Sequence, residues 1–148
     1  MADKNQFTRR LTRQMLTNLG CRNIIEAHDG FVAVEAIRAC NPDVLLLDWK
    51  LPILSGEEVL RMIRSPGVFP RPDLPIIMHT DQTEKRNVLK ALRAGVHEFL
   101  AKPTSPASLR DKLIAVVAKR RPMVTLGEFY VPEPRRLMDG KESKAGRN

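Results

Sequence analysis

A run of four large apolar residues, Val44-Leu45-Leu46-Leu47, stops at an aspartate, Asp48. No polar residue interrupts it, so a strand built from it is covered on both faces. Such strands belong to parallel sheets flanked by helices, which places the chain in the α/β class. Two further short apolar runs agree. Pro75-Ile76-Ile77-Met78 ends at His79-Thr80-Asp81, and Phe99-Leu100-Ala101 is closed by Lys102-Pro103. Ile24-Ile25 with Ala27 predicts another strand, ended by Asp29-Gly30.

Helical patterns alternate with these runs. Phe7, Leu11, Met15 and Leu19 recur every four residues and predict the buried face of a first helix, stopped by Gly20. A second helix is predicted from about Phe31 to Cys40, where Asn41-Pro42 breaks it. Ser55 and Glu58 have capping-box spacing, and Val59, Met62 and Ile63 supply the next buried face. Asp81 is a candidate cap for a helix burying Val88, Ala91 and Leu92 and stopped by Gly95. Ser105-Pro106 opens a last helix whose stripe is Leu109, Leu113, Val116 and Val117. The pattern dissolves from Arg120. Residues 1–121 are therefore expected to form one domain and 122–148 an extended or disordered tail. Within it, Pro132-Glu133-Pro134-Arg135-Arg136 reads as a solvated linker, with a docking peptide as the alternative.

A chain of 148 residues that is 43% hydrophobic can bury a substantial core. It has no apolar run long enough to span a bilayer, and Met1-Ala2-Asp3-Lys4-Asn5 lacks the apolar centre of a signal peptide. The expected location is the cytoplasm, away from membranes. Cys21 and Cys40 belong to no CxxC pair and read as reduced structural thiols. His28, His79 and His97 share no ligand spacing and read as structural or surface residues. A net charge of +8 favours acidic partners. The seven aromatics do not alternate with basic residues as a base-stacking surface requires, so nucleic acid is disfavoured.

The chemistry concentrates at three strand ends. In an open α/β sheet Asp48, Thr80 and Lys102 gather at the carboxyl edge, where ligands bind. A carboxylate, a hydroxyl and an ammonium meeting there suit phosphoryl transfer. The carboxylate can be the nucleophile, and the other two can bind phosphoryl oxygens.

The segment Asp48-Trp49-Lys50-Leu51-Pro52-Ile53-Leu54-Ser55-Gly56 resembles the phosphoacceptor loop of bacterial response-regulator receiver domains, in which a proline and a glycine follow the aspartate at these spacings. Thr80 resembles the family's switch Thr/Ser. Lys102-Pro103 resembles its lysine, usually followed by a cis peptide bond. Ala27-His28-Asp29-Gly30 and Ala94-Gly95 also match common family segments. The resemblance covers roughly residues 3–119.

It implies a flavodoxin-like doubly wound sheet with strand order 2-1-3-4-5. It implies a single-domain phosphorelay switch rather than a metabolic enzyme. Asp48 would accept the phosphoryl group from a sensor histidine kinase or a histidine phosphotransfer protein. Lys102 would pair with the phosphate, Thr80 would move to hydrogen-bond it, and Phe99 would swing inward. Magnesium would be bound by Asp3, Asp48 and the backbone carbonyl of Lys50. Output would go to a downstream protein target, with a second copy of the chain as a further candidate partner. The competing reading is a receiver-like interaction module that acts without phosphate.

Two departures from the family pattern carry expectations. The family usually has two adjacent acids after its first strand; here Asp3 matches the first and Lys4 replaces the second. Two unit charges 4 Å apart interact by about 4 kcal/mol at an effective dielectric of about 20, so a weakened magnesium site is expected. Moreover, only Met1-Ala2 precede Asp3, so most of the central first strand is missing. The expectations are a start further upstream, replacement by residues 123–126 or 129–131, or a poorly folded domain.

Overall fold

Each apolar run pairs with the next in parallel. The structure, a computed structural model, describes residues 1–134. Strand β1 (Leu45–Leu47) pairs with β2 (Ile76–Thr80), which pairs with β3 (Glu98–Ala101), all parallel. The register sets Leu46 beside Ile77 and His79 beside Leu100. Because side chains alternate between the faces of a strand, the core divides in two. Leu46, Ile77 and Leu100 pack with Leu16 of α1 (Gln6–Asn18) and with Leu109 and Val116 of α5 (Pro106–Val117). Leu45, Leu47, Ile76 and Met78 pack on the other side. Their partners there come from α2 (Gly30–Cys40), α3 (Gly56–Ile63) and α4 (Lys85–Ala94), including Ile37, Val59, Leu60 and Ala91.

Met1 and Ala2 lie at the position expected for the first strand. Ala2 bridges in parallel to Ala27 on one side and Leu47 on the other. The Ala2 amide donates to the Leu46 carbonyl and the Asp48 amide to the Ala2 carbonyl, at 2.8 and 3.0 Å. Asp3 N–H donates to Ala27 O, and Ala27 N–H to Met1 O. The spatial order is therefore 2-1-3-4-5, with the first two positions reduced to single bridges. The strand expected at Ile24–Ala27 is accordingly limited to Ala27, because so short a neighbour offers no ladder to extend it. Residues 123–126 and 129–131 do not enter this gap.

Those residues instead form an antiparallel hairpin, β4 (Met123–Leu126) and β5 (Phe129–Pro132). Gly127, at φ 62°, makes the two-residue turn. Part of the expected tail is thus regular structure; Arg135-Arg136 and the rest of the tail lie outside the described residues. Three helices also depart from expectation. In α1 the buried residues are Thr12 and Leu16, while Phe7 is 69% and Leu11 51% exposed. The helix is turned by about one residue, or 100°, from the predicted stripe. Its azimuth follows from its start: Asn5 caps it, Arg9 donates to the Asp3 carbonyl, and Arg9 and Arg13 both pair with Glu26. In α4 the N-cap is Glu84, not Asp81, and only Ala91 is buried. In α5, likewise, Val117 is exposed. The capping box of Ser55 and Glu58 is present as predicted.

Candidate functional site

Asp48 follows directly from β1, and the loop after it is held against two helix starts. Gly56 N–H donates to the Trp49 carbonyl at 2.9 Å, and a Cβ on Gly56 would lie 2.2 Å from the Asp48 carbonyl oxygen. Only glycine allows α3 to begin so close to the acid's backbone. Gly30, at the start of α2, meets the same loop: its N–H donates to Pro52 O, and a Cβ there would sit 2.0 Å from the Leu54 carbonyl oxygen. Trp49 is half-buried against the core, with the Lys90 ammonium 5.8 Å from its ring centre.

The strand ends converge. Lys102 Nζ donates to Asp3 Oδ2 at 2.5 Å and to Asp48 Oδ2 at 2.7 Å. Both carboxylates are buried, Asp3 5% and Asp48 7% exposed. Burial opposes the charge on Lys102, but the two acids outweigh it and raise its pKa above the ordinary lysine value. Asp3 is held in turn by the Asn5 amide, which donates to its Oδ1 at 2.8 Å. The Lys50 amide faces Asp48 Oδ1 at 3.4 Å.

Thr80 stands at the end of the neighbouring strand and is buried, its Oγ1 accepting from the Gln82 amide at 3.2 Å. Phe99 lies half-buried on β3, three residues before the lysine. The Lys102–Pro103 peptide is cis. Asp3, Asp48 and Lys102 are thus brought into contact, with Lys50 beside Asp48 and Thr80 at the neighbouring strand end, while Phe99 lies within β3.

Sequence reasoning gave no role here to His79. It is buried one residue before Thr80, and its Nε2 is 2.7 Å from Thr104 Oγ1. Its place at the end of a continuous apolar run was the available signal. Burial, reinforced by the Lys102 charge, lowers its pKa to about 4. His97 is also buried: its Nδ1 accepts from the Ile76 amide and faces Arg64 Nη2 at 3.1 Å. Burial and then Arg64 lower its pKa to about 3.

A prediction follows for stability against pH. Both imidazoles are neutral when folded, whereas in the unfolded chain they protonate near pH 6.5. Their stabilisation is complete above that value and is lost as pH falls toward 4 and 3. With two extra protons bound by the unfolded state, the slope approaches about 2.7 kcal/mol per pH unit. Urea denaturation between pH 7.5 and 5 should show the midpoint falling steeply below 6.5. A flat profile would refute the neutral assignment.

The donor set around Asp48 is all oxygen and carries two carboxylates already drawn together around one cation. That suits magnesium, which uses one or two carboxylates and retains several waters. No group of three or more acids, histidines and cysteines with metal-holding geometry occurs among the described residues. The position of the family's second acid is held by Lys4, which is exposed.

The family model described as response regulator receiver domain matches residues 1–114. The chain belongs to that family. It is 34% identical over 118 residues to the chemotaxis protein CheY1 of Helicobacter pylori, a match covering 79% of this chain and 94% of that one. It is 35% identical over 115 residues to a CheY homologue of Campylobacter jejuni, covering 76% and 86%. Among solved structures it resembles the receiver domain of a sensor histidine kinase from Pseudomonas aeruginosa. The TM-score there is 0.68 at 29% identity, over 76% of this chain and 90% of that one. That structure holds a magnesium ion in its active-site cleft. Membership makes this a two-component signalling protein of the CheY-like receiver type, not a metabolic enzyme. No helix among the described residues is long and apolar enough to cross a membrane.

Proposed function

We propose that this receiver domain is a phosphorylation switch whose acceptor is Asp48. The observation that carries the reading is the shared ion pair: Lys102 binds Asp48 Oδ2 and Asp3 Oδ2 from a third strand end. A donor phosphohistidine of a sensor kinase or phosphotransfer protein loses its N–P bond as an Asp48 oxygen forms the new O–P bond. The leaving imidazole nitrogen takes up a proton. Lys102 stays beside the new acyl phosphate and balances its charge, which is electrostatic stabilisation from a preorganised partner. Thr80 leaves the Gln82 amide to hydrogen-bond a phosphoryl oxygen, and Phe99 moves inward in the same step. Output passes to a downstream protein by contact, with the surface of α4, β3 and α5 as the responding face.

Asp3, Asp48 and the Lys50 carbonyl would hold magnesium, which supplies positive charge to the phosphoryl oxygens. Lys4 opposes that binding from the position of the absent acid. Titration followed by Trp49 fluorescence should give weak binding, and Lys4→Asp should tighten it about tenfold, a change of about 1.4 kcal/mol. An unchanged affinity would show that Lys4 has no influence on the metal.

The decisive test is intact mass after incubation with a small phosphodonor and magnesium. One phosphoryl adduct per chain supports the switch. Absence of any adduct supports an interaction module that works without phosphate.

A further inference from the structure

The β4–β5 hairpin lies beyond the last residue matched by the family model. A two-stranded hairpin has little stability alone in water, so its order depends on what it packs against. Here it packs on α4 and on the approach to β3. Val131 is buried, and the Tyr130 carbonyl sits so close to Gly95 that a Cβ there would be 2.8 Å from its oxygen. Arg121 donates from Nη2 to the His97 carbonyl at 2.6 Å and from Nη1 to the Glu133 carbonyl at 3.1 Å. The Glu133 amide closes the hairpin base on Pro122 O. The hairpin thus grips the C-terminal end of α4 and the residue just before β3.

Those two elements lead directly to the reacting edge. β3 runs from Glu98 to Ala101 and delivers Lys102, while α4 follows β2, which ends at Thr80. Apart from Lys90, which pairs with Glu57 at 3.2 Å and stands over Trp49, the helix α4 has few anchors. Its N-cap has no side-chain hydrogen bond, Ala91 is its only buried residue, and Leu89 and Leu92 are each 42% exposed. Between α4, β3 and the hairpin lies a groove of about 560 Å³ whose apolar lining includes Leu92, Val96, Phe99, Leu126 and Phe129. Phe99 therefore faces the hairpin from the strand that carries the phosphate-binding lysine.

We propose that the hairpin is an autoinhibitory clamp, docked on α4 and β3 while Asp48 is unmodified and released when Asp48 carries a phosphoryl group. The inference rests on Asp48 being the acceptor. Its direction comes from Thr80: in the docked arrangement Thr80 Oγ1 accepts from the Gln82 amide. Reaching a phosphoryl oxygen breaks that bond and shifts the segment that starts α4. A loosely held helix moves with it, and the hairpin loses its seat. Release opens the groove, so that Val96 joins the already part-exposed Leu92 and Phe99 in an apolar surface for a downstream protein. Coupling is reciprocal, so undocking the hairpin must also favour the phosphorylated state.

Hydrogen–deuterium exchange on the full chain, with and without magnesium and acetyl phosphate, reads the clamp directly, with intact mass recording the adduct in the same samples. The expected result is one adduct with at least tenfold loss of protection in residues 123–132, while amides of β1 and β2 stay protected. In Arg121→Ala and Val131→Ser, protection of the hairpin should already be low without donor. At limiting acetyl phosphate the adduct level should rise about fivefold, near the lower end of usual coupling. An adduct with unchanged hairpin protection overturns the clamp and leaves Asp48 as the acceptor. So does an undocked hairpin, in either variant, with an unchanged adduct level. Absence of any adduct overturns both readings together.

Discussion

Asp48→Asn should abolish the phosphoryl adduct while leaving the domain at least as stable as before. The amide has no anionic oxygen to attack phosphorus, so intact mass after acetyl phosphate and magnesium should show only unmodified chain. The stability half of the expectation comes from charge. Asp3, Asp48 and Lys102 together carry one excess negative charge in a buried site. Two carboxylates sharing one site repel each other, and removing one leaves Lys102 paired with Asp3 alone. The urea midpoint should therefore stay level or rise. An adduct that survives the substitution would place the acceptor elsewhere. A variant that loses several kcal/mol would show that Asp48 is chiefly a structural residue.

Lys102→Ala should have the opposite character, a folded domain badly weakened. It removes the one cation among the described residues that touches both acids and leaves two buried carboxylates side by side. Breaking a buried pair by deleting one partner typically costs about 3–5 kcal/mol, because the remaining charge is uncompensated. The repulsion should be relieved by millimolar magnesium, which lets the pair hold another cation. Urea curves at pH 7.5 with and without magnesium test both points. A loss below about 1 kcal/mol would mean that solvent already screens the triad. Where the variant remains folded, phosphorylation by the small donor should also fall by about 10²–10³-fold, the usual effect of deleting one preorganised charge partner.

Most of the site was legible before any coordinates because its residues stand at the ends of strands. An apolar run must stop where the sheet stops, so Asp48, Thr80 and Lys102 marked themselves by terminating runs. Asp3 was harder, since no apolar run ends at it in the sequence. Only the resemblance to receiver domains assigned it to the site, and the bridges of Ala2 to Ala27 and Leu47 are what place it there. His79 could be read only as structural or surface, because a buried histidine leaves no mark in an apolar strand beyond its position. Residues 123–126 and 129–131 were legible as candidate strands, but their apolar content pointed to the gap in the sheet, because segments of four residues are too short to show which partner they pair with.

The sequence by itself determined the α/β alternation, the capping of α3 by Ser55 and Glu58, and which acid, alcohol and amine end the parallel strands. These follow from local pattern: burial on both faces, hydrogen-bonding caps, and the polar residue that closes each run. Tertiary structure alone decided that α1 buries Thr12 and Leu16 rather than Phe7 and Leu11, that Ala2 bridges Ala27 and Leu47, and that residues 123–132 dock on α4. Periodicity states that a helix has a face but not which neighbour turns it. The pairing of a short segment depends on the backbone groups its distant partners leave open.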